Sequence, residues 1–449
     1  FAIAFQSTFA QLSTRHFIPP LTNSEFGNAN PEDQYFYIST PSVQEIAFTI
    51  IPIGQPDSNT INGVVSKSNE QIIFLGTGYN QLFVESTQTS IKINNKGYII
   101  ESEEAIYVSL RMEAGNGNQA GALVSKGSSA LGTTFRVGSF TNENPQDNYL
   151  NFVSVLATEN DTQVSFSDIP AGISIKNYTG TLPVTISLNE GESYIVATNS
   201  FENITNRDGL IGALVQSNRP IVVNIGSANG SFHDGFGRDY GIDQIVDFSK
   251  VGNEYIFVKG NGSNGWENAL IVAHENNTDI FLNGNTSSII TLNAGDYHLI
   301  EGQEFNSNGI LYVETSKPVF AYQGIGANIS EANQGLFFVP PLSCENKGRV
   351  DNIPSIESIG STIYSGGITI IIEKNASLEI TANEAPYTIA SNQGPFSVDG
   401  NVNYETYKIE ALEGNISINS DGELYVGYFN QNGAASSGGF YSGFPSSPE

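Results

Sequence analysis

At 449 residues the chain exceeds what one ordinary hydrophobic core holds, so several domains are expected. Hydrophobic residues at 39% and aromatic residues at 11% supply packed cores and exclude a disordered chain. A formal net charge of −28 repels phosphate backbones and argues against a nucleic-acid partner; it suits an extracellular surface able to hold divalent cations.

In chain order, residues 1–10 read as the end of an apolar signal-peptide core with a small-residue cleavage site, a first β-strand being the alternative. Residues 11–145 are a first β module, 146–262 a second, 263–360 a third and 361–440 a fourth. Residues 441–449 read as a Ser/Pro linker into a C-terminal sorting domain. No run of about 18 apolar residues occurs, so no membrane-spanning segment is expected. The lone Cys344 allows no intramolecular disulfide and reads as a small buried hydrophobe, which points to a bacterial surface rather than an animal secretion.

The modules rest on a pattern written twice, ATENDTQVSFSD at 157–168 and AHENNTDIFLNG at 273–284, and echoed by IEKNASLEIT at 372–381. An apolar run, a Glu, an Asn-containing turn and period-two alternation predict a β-hairpin. In the third module Leu292-Asn293-Ala294-Gly295 predicts a second hairpin, and Glu314-Thr315-Ser316-Lys317-Pro318 the turn of a third; Leu188-Asn189-Glu190-Gly191 and Ser217-Asn218-Arg219-Pro220 answer them in the second. The expected fold is therefore all-β, with tandem antiparallel β-sandwich-like repeat modules. A β-propeller or fused barrel, built from the same hairpins, is the alternative. A module junction is expected over 251–265, where Gly260, Gly262 and Gly265 permit a sharp change of direction, with Trp266 partly buried against the neighbouring block.

Sites for chemistry are sparse. His16, His233, His274 and His298 show no zinc spacing, and no nucleophile elbow or Walker loop occurs, so a non-enzymatic chain is expected. Asp234, Asp239 and Asp243 lie among glycines and could bend round a hard cation such as calcium, which takes six to eight oxygens. Against this, the spacing is not that of an EF-hand and Arg238 opposes a metal, so turn-capping carboxylates are the preferred reading. Glu101, Glu103 and Glu104 read as a solvated face, and the Asn-x-Ser/Thr triplets at Asn177, Asn203 and Asn375 as turns.

Three longer strings, GRDYGIDQIVDFSKVGNEYIFVKGNG at 237–262, YVETSKPVFAYQGIG at 312–326 and ANQGLFFVPPLSCENKGRVDNIP at 332–354, resemble the IgGFc-binding-protein N-terminal-like domain of secreted, gliding-motility-associated Bacteroidetes proteins. Such proteins commonly end in a type B sorting domain read by the type IX secretion system. The resemblance implies export to the extracellular space or the outer-membrane surface of a Gram-negative bacterium, with type IX outer-membrane components as partners; it implies no immunoglobulin contact. The expected function is a non-enzymatic, adhesin-like or scaffold protein that offers Tyr and Asn groups to surface glycans or proteins. A stable client of the translocon or gliding machinery is one alternative. A carbohydrate-active enzyme using Asp239 and Asp243 is another, though two carboxyls four residues apart make no sugar cleft by themselves.

Overall fold

The structure, a computed structural model, describes residues 11–24, 30–233, 237–328, 331–343 and 350–444. The signal-peptide segment, Asp234, Cys344 and residues 445–449 lie outside the described residues. Apart from seven short 3-10 turns, every regular element among the described residues is a β-strand.

The second module shows the plan. Its seven strands are Gly132–Arg136, Leu150–Ala157, Thr162–Ser167, Val184–Leu188, Ser193–Asn199, Leu214–Gly230 and Asp239–Ile245. The long sixth strand serves two layers. Its first part pairs with the first and third strands, its second part with the second and seventh. The fourth strand extends one layer through the third, and the fifth extends the other through the second. Two four-stranded antiparallel layers thus face each other and share one strand, a sandwich joined along one edge. The second strand is buried at every position because it is covered on both faces, whereas the third alternates buried and open residues.

The same strand order recurs in a first module over 13–124 and a third over 252–338. A fourth, over 350–440, keeps the plan but breaks its sixth strand into Ile416–Ser420 and Leu424–Asn432. Each expected boundary therefore falls one strand late: Gly132–Arg136, Gly252–Val258 and Val350–Ile353 all belong to the module that follows. The first strand bonds only to the distant sixth, a contact that leaves no local trace in the sequence.

The recurring strings are arches, not hairpins. Leu150–Ala157 and Thr162–Ser167 do not pair with each other; they lie in opposite layers and each pairs with the sixth strand. Likewise, the presumed third turn, 314–318, is the middle of one continuous strand, Ile310–Asn328. Alternation specifies a half-buried strand but not whether its sequence neighbour lies beside it or across the core. The strings recur because arch and bend hold each other. Glu159 pairs with Arg219 at 2.7 Å, and Glu275 with Lys317 at 3.9 Å. Asn218 accepts from the Gln163 N–H, Ser316 from the Asp279 N–H and Asp421 from the Ser377 N–H, which places 163, 279 and 377 at one structural position. Asp161, Asn277 and Asn375 take positive φ in the three arches, the conformation that Asn and Asp tolerate best among residues with a side chain. Glu103 and Glu104 sit exposed on the corresponding stretch of the first module's sixth strand.

The seventh strands arrange the four modules in a closed ring. Gln119–Val124 packs on Asp239–Ile245, that strand on Glu331–Phe338, that on Ala435–Phe440, and the last returns to the first. The strands approach closely because each carries glycine at the contact. A Cβ on Gly121 would stand 2.9 Å from Tyr240 Cβ, one on Gly241 2.6 Å from Leu336 Cβ, and one on Gly439 2.8 Å from Val124 Cγ2. Arg111 locks the ring shut. Its fully buried guanidinium donates to the carbonyls of Pro354, Ser355 and Ser358 in the fourth module and lies 4.0 Å from the Tyr37 ring centroid. The Gln11 amide adds a bond to the Phe440 carbonyl at 2.6 Å.

Candidate functional site

Strand register sorts the loops. In the second module Leu150 sits opposite both Asn199 and Ala228, while Leu214 sits opposite Arg136 and Ser167. The loops after the first, third, fifth and sixth strands therefore gather at one end of the sandwich, and the arches gather at the bend. This loop-bearing end is where variation can occur without disturbing the ladders.

The expected cation residues do not form one loop. Asp239 and Asp243 both lie on the strand Asp239–Ile245 and are fully buried. Four residues of extended chain separate their Cα atoms by roughly 13 Å, too far for both carboxylates to share one ion. Each already has protein donors. Asp239 accepts from the N–H groups of Ala120, Tyr240 and Ser436 and from the Ser436 hydroxyl. Asp243 accepts from the N–H groups of Val124, Gln244 and Phe338 and from Lys126 Nζ, which stands 3.1 Å from both oxygens. Burial pushes the Asp243 carboxyl up and the Lys126 ammonium down, and the pair opposes both shifts. Burial likewise raises Asp239 well above the carboxylate range, against the pull of its N–H donors. These two carboxylates join modules one to four at the axis. Among the described residues, no group of three His, Cys, Asp or Glu is placed to hold a metal.

The histidines are scattered. His16 is fully buried, accepting or donating at Ser125, Ser13 and Ile106, and burial lowers it to about 4. His274 lies 3.9 Å from the Phe248 ring and receives Arg136 Nε at 3.3 Å. His233 stacks on Trp266 at 4.2 Å, so the tryptophan is buried against the neighbouring module, although the junction lies earlier, between 245 and 252. Gly265 makes room for that stack, since a Cβ there would meet the His233 ring at 2.8 Å.

The loop-bearing end holds a cleft of about 470 Å³ where the third module meets the fourth. Lys259, Asn264, Phe305 and Asn306 line it from the third module and Lys408, on the strand Asn401–Leu412, from the fourth. Lys259 Nζ donates to Asn264 Oδ1 at 2.7 Å and lies 5.1 Å from the Phe305 ring. Lys408 Nζ donates to the Gly260 carbonyl at 2.5 Å and to Asn261 Oδ1 at 2.7 Å. Behind them Glu267, fully buried, accepts the N–H groups of Gly260, Gly262 and Gly326, which moors the loop to the sixth strand. Burial raises Glu267 to about 7, while these N–H donors and Lys408 pull it down. Sequence reading missed this cleft because 259 and 408 meet only through the ring. The one available signal was two lysines in a chain with 18 basic and 46 acidic residues.

Fold and loop arrangement define an all-β protein of four sandwich modules in a ring, open to contacts at its loop-bearing end. The chain belongs to the IgGFc-binding protein family, whose sequence model matches residues 120–429. The match begins in the seventh strand of the first module and ends in the sixth of the fourth, so it spans most of the ring. No curated protein matches the chain. Solved structures include an α-L-rhamnosidase of Streptomyces avermitilis complexed with L-rhamnose, at 9% identity and a TM-score of 0.12, covering 98% of this chain and 56% of that one. An α-2-macroglobulin mutant of Salmonella, at 8% identity and a TM-score of 0.13, covers 99% of this chain and 40% of that one. The chain thus spans little more than half of one and less than half of the other, and similarity this low carries no argument about fold or function. No helix among the described residues is long and apolar enough to cross a membrane.

Proposed function

We propose that this chain is a secreted, non-enzymatic binding module that works at the surface of a Gram-negative bacterium as an adhesin-like or scaffold protein. The observation that carries the reading is the ring itself, in which buried polar locks fix four modules and leave the loops at one end for contacts. Membership of the IgGFc-binding protein family supports a binding role. The type IX secretion system is the proposed export route, and its outer-membrane components are the transient partners. Glycans or proteins displayed near the cell are the proposed ligands.

Protease shaving of intact cells producing the full-length protein tests this. Release of fragments from secretion-competent cells, and their retention in cells lacking the type IX translocon, is expected. Protection of the protein in competent cells would overturn the surface reading.

A further inference from the structure

We propose that the cleft between the third and fourth modules binds the acidic group of an anionic saccharide, with Lys259 and Lys408 as its charge partners. The proposal rests on the binding-module reading and names a ligand class for it.

In a chain of net charge −28, six basic groups pair with acids among the described residues: Arg15 with Glu101, Lys92 with Glu192, Lys126 with Asp243, Arg136 with Asp168, Arg219 with Glu159 and Lys317 with Glu275. Lys259 and Lys408 donate to uncharged oxygens, as Arg111 and Lys250 do elsewhere, but these two lysines line one cleft together. Asp399 accepts from the lining Asn306 amide at 3.3 Å, and two further carboxylates lie near. Glu267 is turned inward to three backbone N–H groups, and Glu410 is exposed on the same strand as Lys408. Burial lowers the pKa of Lys259, Glu267 opposes this, and the Lys408 ammonium adds to the lowering. Two cations that disfavour each other gain when an anion enters between them.

The rest of the lining suits a sugar. About 470 Å³ is the size of a small-ligand site. Asn264, Gln303 and Ser307 bring amides and a hydroxyl able to bond sugar hydroxyls, and Phe305 adds an apolar surface. These bonds use two of the three Lys408 N–H donors and one of those on Lys259, which leaves donors on both for a carboxylate or a sulfate ester.

Calorimetry on the full chain tests the proposal, with 3′-sialyllactose and digalacturonate as carboxylated probes, 6-sulfolactose as the sulfated probe and lactose as the neutral control. Binding of an acidic probe, weakened by high salt and absent for lactose, is expected; the arm that binds identifies carboxylate or sulfate. Lys259→Gln with Lys408→Gln is expected to weaken binding about tenfold or more, the loss of one good charge-assisted contact being worth that much. Lys408 also holds the Gly260 carbonyl and the Asn261 side chain, so Lys259→Gln alone, with unchanged Trp266 emission as proof of folding, is expected to cost about fivefold. Failure of all acidic probes to bind the folded wild type, or undiminished binding by the double variant, would overturn the inference. Surface release in the shaving experiment would still leave the binding-module reading standing.

Discussion

Replacing Lys126 by Met tests the axis most directly. The Lys126 and Asp243 side chains are both 0% exposed and 3.1 Å apart. At that separation the pair attraction is about 5 kcal/mol with an effective dielectric of 20. Methionine fills most of the volume but leaves a buried carboxylate with only its backbone donors at Val124, Gln244 and Phe338. Breaking one side of a buried pair in this way is expected to cost about 3–5 kcal/mol at pH 8. Removing the ammonium also raises the folded-state pKa of Asp243 further, so the variant takes up a proton on folding and regains stability as pH falls. Urea midpoints at pH 8 and pH 5 read both effects, and the deficit should shrink at the lower pH. A cost under about 1 kcal/mol at pH 8, or one independent of pH, would refute a desolvated charge pair. The same titration examines calcium, because carboxylates already held by protein donors predict a wild-type midpoint unmoved by chelator. A midpoint that falls with chelator would return the cation reading to Asp234, Asp239 and Asp243.

Other outcomes follow from the ring. Arg111→Met removes three bonds to buried carbonyls across its closure and should cost about 4 kcal/mol in thermal or urea unfolding, against no change if the first and fourth modules are independent. Gly241→Ala puts a Cβ 2.6 Å from Leu336 Cβ and should cost about 1–3 kcal/mol by the same measurement, or nothing if the seventh strands can separate freely. Trp266, the single tryptophan, should emit at short wavelength and resist acrylamide, whereas a solvent-like maximum would place it outside the His233 stack. For Glu267, raised from 4.5 to about 7, the stabilising contribution is complete below pH 4.5 and lost as pH rises through 7. Melting temperature should therefore fall across that window, by the equivalent of about 3 kcal/mol, and Glu267→Gln should flatten the fall; parallel curves for both proteins would refute it.

Period-two alternation, the Glu–Asn–Thr strings and the Lys/Arg–Pro strings made the strands and their repetition legible, down to the correspondence of Thr162 with Thr278. Pairing was not legible. A strand that answers its neighbour across a core carries the same alternation as one lying beside it, and Gly132–Arg136 reveals its module only through bonds to Leu214 and its neighbours. The lysines of the cleft, at 259 and 408, were equally hidden, because only ring geometry brings them together.

Asp239 and Asp243 show how a sequence can mark the right residues for a different chemistry. Acidic side chains in the run DYGIDQI contradict a buried strand unless something meets them, and a cation is one candidate. A ring supplies another. Each seventh strand is the innermost of its sheet, so the N–H groups on its open side have no ladder partner, and the tight glycine contacts leave no space for one more strand. Such donors need an acceptor. Asp239 takes those of Ala120 and Ser436, and Asp243 takes those of Val124 and Phe338. The spacing of four along Asp239–Ile245 matches that from Ala120 to Val124 on the strand it meets, so the two acids reach donors at both levels of the neighbouring edge. Carboxylates accept several donors at once, which a neutral amide cannot do without turning its own N–H groups toward them. The acids of this segment therefore answer the unpaired edges that a closed ring of sheets turns toward its axis.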